Sequence, residues 1–134
     1  MILKNIWKNV EFPLESHIDD RGSITDIYYN KSVSHITIIK SNPGAIRGNH
    51  YHMQTTQSML ITKGSLDYWY KPLNSDEPAN MVTLFPGDFI TTPPLEIHAL
   101  VIGKDGNEFL VFTEGLRGGM DYEKDTFRVD SIIG

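Results

Sequence analysis

Several features common in proteins are missing from this chain of 134 residues. It has no cysteine, which excludes disulfide bonds and thiolate chemistry. The opening stretch MILKNIWKNVEF lacks the long apolar run of a signal peptide or membrane span, so we expect a cytoplasmic protein with no membrane partner. The formal net charge of −5 argues against a nucleic-acid partner, because phosphate backbones are bound by a basic field.

Helical periodicity is also lacking, and apolar residues recur mostly with a period of two. Runs rich in β-branched and aromatic residues predict roughly nine or ten short strands. We interpret residues 57–71 as a hairpin turning at Lys63 and Gly64, residues 104–107 as another hairpin turn, and residues 126–133 as a final strand. The pattern predicts one all-β domain over residues 1–134, a jelly-roll sandwich or barrel with its core at about 22–113 and terminal segments packing on the barrel or on a neighbouring subunit.

Three histidines form the most informative pattern in the chain. His50 and His52 are one residue apart, and residues i and i+2 of a strand point to the same face. His98 follows a second segment punctuated by turns, and Gln57 adds an oxygen donor. Such a set predicts either a divalent metal site or an acid/base pocket built on a barrel.

The same residues carry a resemblance to the cupin family. Residues Gly44 to Gly64 resemble the first cupin motif, which has a glycine, HxH, an acidic residue and a second glycine; Gln57 stands where the family usually has glutamate. Residues Gly87 to His98 resemble the second motif, with Leu95 in place of its glycine and Ile102 in place of its asparagine. The resemblance implies the cupin fold, a double-stranded β-helix or jelly-roll barrel, and a homodimer.

A narrower resemblance bears on function. The segment RGNHYH, residues 47–52, resembles the signatures of dTDP-4-keto-6-deoxyglucose 3,5-epimerases and of dTDP-sugar 3,4-ketoisomerases. DDRGSI, residues 19–24, resembles a segment near the start of such proteins, and RGGMDYEKDTFRV, residues 117–129, resembles the end of WxcM-like sugar-modifying cupins. The resemblance implies an epimerase or isomerase whose small-molecule partner is a nucleotide-linked keto-deoxysugar used in polysaccharide assembly.

Keto-sugar chemistry assigns expected roles to these residues. It begins with removal of a proton next to a carbonyl, for which histidine is the suitable base, and His50 is our candidate. We expect Arg47 to clamp the pyrophosphate or the enolate. Tyr68 and Tyr70 alternate after Gly64 and so share a face. We expect Tyr70 to be a catalytic proton donor and Tyr68 to contact substrate, the alternative for both being core packing.

The metal interpretation uses the histidines differently. Zn, Fe, Ni or Mn could be held by His50, His52, His98 and Gln57, although a neutral amide is a weaker ligand than a carboxylate. A metal-bound histidine cannot act as a free base, and the proton transfer would then fall to a bound water, a tyrosine or Glu96. The alternative functions are a non-enzymatic metal- or sugar-binding cupin and, less favoured, a metal-dependent oxygenase.

Other polar residues are predicted to lie outside the site. We interpret His17 and His35 as surface or strand histidines. Glu123, Asp125 and Arg128 are interpreted as a solvated or subunit-contacting segment.

Overall fold

Antiparallel β-strands dominate the computed structural model, which describes residues 1–115 and 123–134. The strands among these residues are β1 (Ile2–Asn5), β2 (Ser16–Asp19), β3 (Gly22–Thr25), β4 (His35–Ser41), β5 (Ile46–Tyr51), β6 (Thr56–Pro72), β7 (Asn80–Leu84), β8 (Asp88–Thr92), β9 (Glu96–Glu114) and β10 (Phe127–Arg128). The prediction of an all-β protein is thus confirmed. Over the same two ranges, no helix has the length and apolar character needed to cross a membrane.

Two long strands, β6 and β9, organise the main sheet. They pair from Thr56 opposite Glu114 to Pro72 opposite Glu96, with register shifts around Gly64 that leave residues 103–106 of β9 without a partner on β6. Strands β7 and β8 add to β6, and β4 and β5 add to β9. Strand β1 pairs with β8, β10 pairs with β5, and β2 and β3 form a separate two-stranded sheet.

The two predicted hairpins are wrong, because their turn residues lie inside these continuous strands. Gly64 (φ 71°) and Gly106 (φ 74°) adopt the left-handed conformation on facing strands, and the β6–β9 register shifts on either side of Gly64. A Cβ on Gly64 would collide with the carbonyl oxygen of Gly106. Glycine thus bends both strands at one level, as at a barrel corner, rather than reversing either chain. The predicted final strand is also too long, because only Phe127–Arg128 pair.

Side chains on the two faces of β6 enter different apolar clusters. The interior cluster consists of Met59, Ile61, Leu66, Tyr68, Leu84, Ile90, Leu100, Ile102, Phe109 and Val111. On the opposite face, Leu60 packs with Ile6, Phe89 and Phe112, so the N-terminal segment covers the outside of the sheet. The centre of β6 is therefore buried on both faces, and the interior cluster forms the floor beneath the site.

Candidate functional site

A cavity of about 420 Å³ lies against the interior cluster. Its lining residues are Ile39, Ile46, Arg47, Gly48, His50, Gln57, Met59, Thr92, His98, Leu100, Phe109, Val111 and Arg128. They come from β4, β5, β6, β8, β9 and β10. The mixture of an apolar floor with a few convergent polar groups is typical of a small-molecule site, and the volume suits one.

The structure brings together the three histidines that the sequence singles out. One ring nitrogen from each of His50, His52 and His98 lies within 4.8 Å of the other two. The ring centroids are 4.7 Å apart for His50 and His98, 5.0 Å for His50 and His52, and 5.5 Å for His52 and His98. His52 and His98 are buried, whereas His50 is half-buried and lines the cavity.

A bulge in β5 aims His50 at His98. The β5–β9 register shifts between Gly48 and His50, so that His50 lies opposite His98. Gly48 (φ 87°) and Asn49 (φ 57°) both adopt the left-handed conformation there. A Cβ on Gly48 would lie 2.7 Å from the carbonyl oxygen of His98 and 3.1 Å from the Cα of Ala99. Glycine therefore permits the close approach of the two strands that carry the histidines.

Main-chain carbonyls set the tautomers of two histidines. Nδ1 of His52 lies 2.7 Å from the carbonyl oxygen of Asp125, and Nδ1 of His98 lies 3.2 Å from that of Glu96. A carbonyl oxygen only accepts a hydrogen bond, so each Nδ1 carries the proton. In the neutral form of such a ring Nε2 keeps its lone pair, the arrangement usual for metal-binding histidines.

Burial keeps His50 and His98 uncharged at neutral pH. Burial, with the nearby His52 and Arg128, lowers the pKa of His50 to about 4. Burial and the neighbouring His50 lower the pKa of His98 to about 3, although its bond to the Glu96 carbonyl opposes this. Both rings are thus neutral near pH 7, the form that can accept a proton or bind a metal.

Two guanidinium groups lie where the cavity meets solvent. Arg47 is exposed, and its Nε donates to Oγ of Ser41 at 2.8 Å while its Nη2 donates to the carbonyl of Lys40 at 3.3 Å. Arg128, the cross-strand neighbour of His50, donates both terminal nitrogens to the carboxylate of Glu123, at 3.0 and 3.1 Å. The site therefore combines neutral bases inside with positive charge at its rim.

Gln57 also lines the cavity, where it lies on β6 opposite Thr92 of β8. Gln57 thus lines the same cavity as His50 and His98, and its role as a metal ligand stays a prediction. Its neutral side chain adds no negative charge that would draw in a cation.

Tyr68 lies in the interior core, not on the cavity wall. It is fully buried, and its hydroxyl contacts Oγ1 of Thr92 at 2.5 Å and donates to Oε1 of Glu96 at 3.3 Å. Burial raises its pKa far above the usual value, so the phenol stays protonated. Tyr68 is not among the residues that line the cavity, whereas its partner Thr92 is, and its predicted contact with substrate stays a prediction.

Tyr70 is half-buried against the interior cluster and lies opposite His98 across β6 and β9. It shares a sheet face with His98 and His50 but is not among the residues that line the cavity. Its catalytic role stays a prediction.

Sequence reasoning missed Asp125, whose interpretation as solvated is wrong. Asp125 is 3% exposed, and its carboxylate accepts the main-chain N–H groups of Met53, Gln54 and Thr55 and the hydroxyl of Thr55. Burial alone would raise its pKa, but these hydrogen bonds outweigh burial and lower it. No local signal reveals this, because the partners lie 70–72 residues away.

Arg128 was missed for a similar reason, since only the pairing of β10 with β5 brings it to the cavity.

Part of the predicted resemblance to WxcM-like proteins, over residues 117–129, lies outside the described residues. His17 and His35 are exposed on β2 and β4, as interpreted.

A protein-family model for the polysaccharide biosynthesis C-terminal domain matches residues 17–113. The chain is also 25% identical over 85 residues to a UDP-2-acetamido-2,6-beta-L-arabino-hexul-4-ose reductase of Pseudomonas aeruginosa. That alignment covers 57% of this chain and 23% of the reductase, so the chain spans less than a quarter of this curated relative.

Solved structures similar to this chain include a sugar ketoisomerase, an epimerase and a capsular polysaccharide assembling protein. QdtA, a sugar 3,4-ketoisomerase from Thermoanaerobacterium thermosaccharolyticum in complex with TDP, has a TM-score of 0.72 at 18% identity, covering 96% of this chain and 88% of its own. The rmlC epimerase of Mycobacterium tuberculosis has a TM-score of 0.69 at 13% identity (90% and 71% coverage). CapF, a capsular polysaccharide assembling protein from Staphylococcus aureus, has a TM-score of 0.66 at 20% identity (90% and 34%).

At these identities the likeness establishes the fold, and it confirms the predicted cupin jelly roll. Because the family match spans most of the chain, this protein belongs to the polysaccharide biosynthesis C-terminal domain family, on a cupin fold.

Proposed function

We propose that this protein acts on a nucleotide-linked keto-deoxysugar as an epimerase or isomerase, by removing a proton from a carbon next to the sugar carbonyl. The observation that carries the proposal is His50, a neutral imidazole on the wall of a cavity with Arg47 and Arg128 at its rim. A ketoisomerase and an epimerase among the similar folds support it.

His50 is the proposed base. Among the described residues lining the cavity, His50 and His98 alone have side chains that accept a proton near neutral pH, and His98 is the more buried. The surroundings that lower the pKa of His50 disfavour positive charge there. The positive field of Arg128, one of those causes, would stabilise a negatively charged enolate beside the ring.

Bound substrate would strengthen this base. We assign Arg47 and Arg128 to the diphosphate of the nucleotide, which would compete with Glu123 for Arg128, since guanidinium groups bind phosphate oxygens through paired hydrogen bonds. A diphosphate at the rim would offset the charge of Arg128, the smallest of the three causes, and so raise the pKa of His50 in the complex. Tyr70 remains the proposed donor that returns a proton.

A second candidate function, metal binding by a non-enzymatic cupin, is favoured by the convergence of three histidines, of which His50 and His98 are neutral. These residues fit a divalent ion such as Zn, Fe, Ni or Mn, which His50, His52 and His98 would hold with Gln57 as an oxygen donor. When bound, such an ion would stabilise negative charge on a carbonyl oxygen. A coordinated His50 could not take the proton, so metal content separates the two roles of this residue.

The proposed reaction is tested by hydrogen exchange with solvent. The protein is incubated in deuterium oxide with dTDP-, UDP- and GDP-linked 4-keto-6-deoxysugars, and NMR reads deuterium at C3 and C5. Incorporation into one of the donors is expected. Absence of exchange with all three, in both metal-free and metal-replete protein, would contradict an epimerase or isomerase.

Metal occupancy gives the next prediction. On the metal-binding alternative, protein purified without a histidine tag is expected to contain a stoichiometric divalent metal, which His98→Ala loses because one buried imidazole ligand is gone. Elemental analysis measures it, and His35→Ala, a change on the exposed end of β4, serves as the matched control. Metal-free wild-type protein would assign the histidines to acid/base roles alone.

A carboxylate at position 57 is expected to strengthen metal binding. Gln57→Glu places a negative charge on the cavity wall, and affinity for Zn²⁺ should rise at least about tenfold, or about 1.4 kcal/mol. Isothermal titration measures the change. Gln54→Glu adds the same charge on an exposed residue of the adjoining loop, and equal effects from both variants would show that Gln57 does not face the ion.

A further inference from the structure

The segment after residue 122 returns to the histidine cluster through Asp125. Its carboxylate accepts four donors on residues 53–55, and its own main-chain carbonyl accepts the Nδ1 proton of His52, 73 residues earlier, at 2.7 Å. The side-chain carboxylate and the main-chain carbonyl of Asp125 therefore both bind the same short stretch of chain, residues 52–55. The contacts are buried, with Asp125 3% and His52 2% exposed.

We propose that Asp125 is a positioning residue, which fixes the ring orientation and tautomer of His52 in the site. His52 lies just beyond the end of β5, so the β-sheet pairing that orients His50 does not extend to it. The main-chain oxygen of Asp125 takes over that task, and the carboxylate keeps the oxygen in place by anchoring to residues 53–55. The inference deepens the proposed function, because it concerns the same site.

The bond geometry explains why a carboxylate is needed. Oδ1 accepts the N–H of Met53 at 2.9 Å, and Oδ2 accepts the N–H of Gln54 at 3.1 Å, the N–H of Thr55 at 3.0 Å and the Thr55 hydroxyl at 2.7 Å. An asparagine has only one oxygen and would turn its NH₂ group toward donors. The isosteric amide should therefore loosen the anchor even though it fills the same volume.

The same segment also supplies Arg128 to the cavity wall. β10 follows Asp125 by one residue and pairs with β5 at Tyr51 and His50, and the N–H of Val129 bonds to the carbonyl of Asn49. Loss of the Asp125 anchor is thus expected to act on two parts of the site, the orientation of His52 and the placement of Arg128.

The test reads the histidine tautomers directly, by ¹⁵N NMR of protein in a chelator at neutral pH. In the wild type both His52 and His98 are expected as the Nδ1–H form. In Asp125→Asn the tautomer ratio of His52 should change by about fivefold or more, the factor for loss of one ordinary hydrogen bond. His98, whose partner is the Glu96 carbonyl, should keep its tautomer and serves as an internal reference.

Two further variants keep the result interpretable. Thr55→Val removes the hydroxyl bond to the carboxylate but keeps the main-chain bonds, and should move the His52 signals in the same direction by less. Asp19→Asn is the matched control, because Asp19 also accepts a main-chain N–H, that of Arg21, but lies in the separate β2–β3 sheet.

An unchanged His52 tautomer in folded Asp125→Asn, or equal changes at His52 and His98, would overturn the proposal and leave Asp125 as a general anchor. The readout needs no substrate. Failure of the deuterium-exchange experiment would therefore leave this result intact, and the reverse also holds.

Discussion

Replacing His50 with alanine is expected to lower deuterium exchange into the keto-sugar by about 10²–10⁴-fold, the usual contribution of a general base. The reason is geometric as well as chemical, because His50 is the neutral, half-buried imidazole that faces the cavity. NMR of the sugar measures the exchange rate. His17→Ala, which removes an exposed histidine on β2, should leave the rate unchanged.

Metal analysis of the same variant divides the two roles of His50. A His50→Ala protein that keeps its metal but loses exchange would identify His50 as the base. Loss of both together would identify it as a ligand. Exchange at the wild-type rate would place the base on another residue and contradict the assignment.

The pH profile gives an independent check on the base. Only the neutral imidazole accepts a proton, and the pKa of His50 in the free protein is lowered to about 4. The quantity kcat/KM, which reports groups of the free protein, should therefore stay level from pH 7 down to about 5 and fall through about 4. A fall in kcat/KM centred near the ordinary histidine pKa would indicate that the base is a more exposed histidine.

The histidine cluster could be predicted from the sequence because its spacing is local, but the geometry that forms it is less simple than alternation on a flat strand. The bulge at Gly48 and Asn49 re-aims His50, and His52 lies past the end of β5. The i, i+2 rule therefore predicts correctly that the rings meet. It does not include the bulge that orients His50 or the contact with Asp125 that lies against His52 beyond the strand.

Contacts between distant parts of the chain account for what the sequence could not predict. Lys63 and Gly64 carry a turn signal, yet the pairing of β6 with β9 uses the same glycine as a bend, since the interior cluster is buried by continuing the strand. Asp125 looks like one more charge in a polar segment until the fold brings it to residues 53–55. Tyr68 and Tyr70 share a face as predicted, but only the fold shows that Tyr68 is enclosed.

Introducing a methyl group at Gly48 is expected to cost roughly 2–5 kcal/mol of unfolding free energy. Part of this is backbone strain, because φ is 87° and an L residue pays about 1–2 kcal/mol in the left-handed region. The rest is a clash: the new Cβ would lie 2.7 Å from the carbonyl oxygen of His98, and relieving such overpacking costs about 1–3 kcal/mol. Chemical denaturation measures the loss.

Gly44→Ala is the matched control for Gly48→Ala, since Gly44 has φ 73° but nothing within 4 Å of the position that a Cβ would occupy, so it pays the strain without the clash. Only Gly48→Ala should also slow deuterium exchange, because the clash pushes β5 away from β9 at the point where His50 faces His98. Equal losses of stability and of activity in the two variants would contradict this explanation. They would show that Gly48 is not needed for the close approach of β5 to β9. A larger loss at Gly48 would show that the signature glycine is required because the site is built where two strands come closer than a side chain allows.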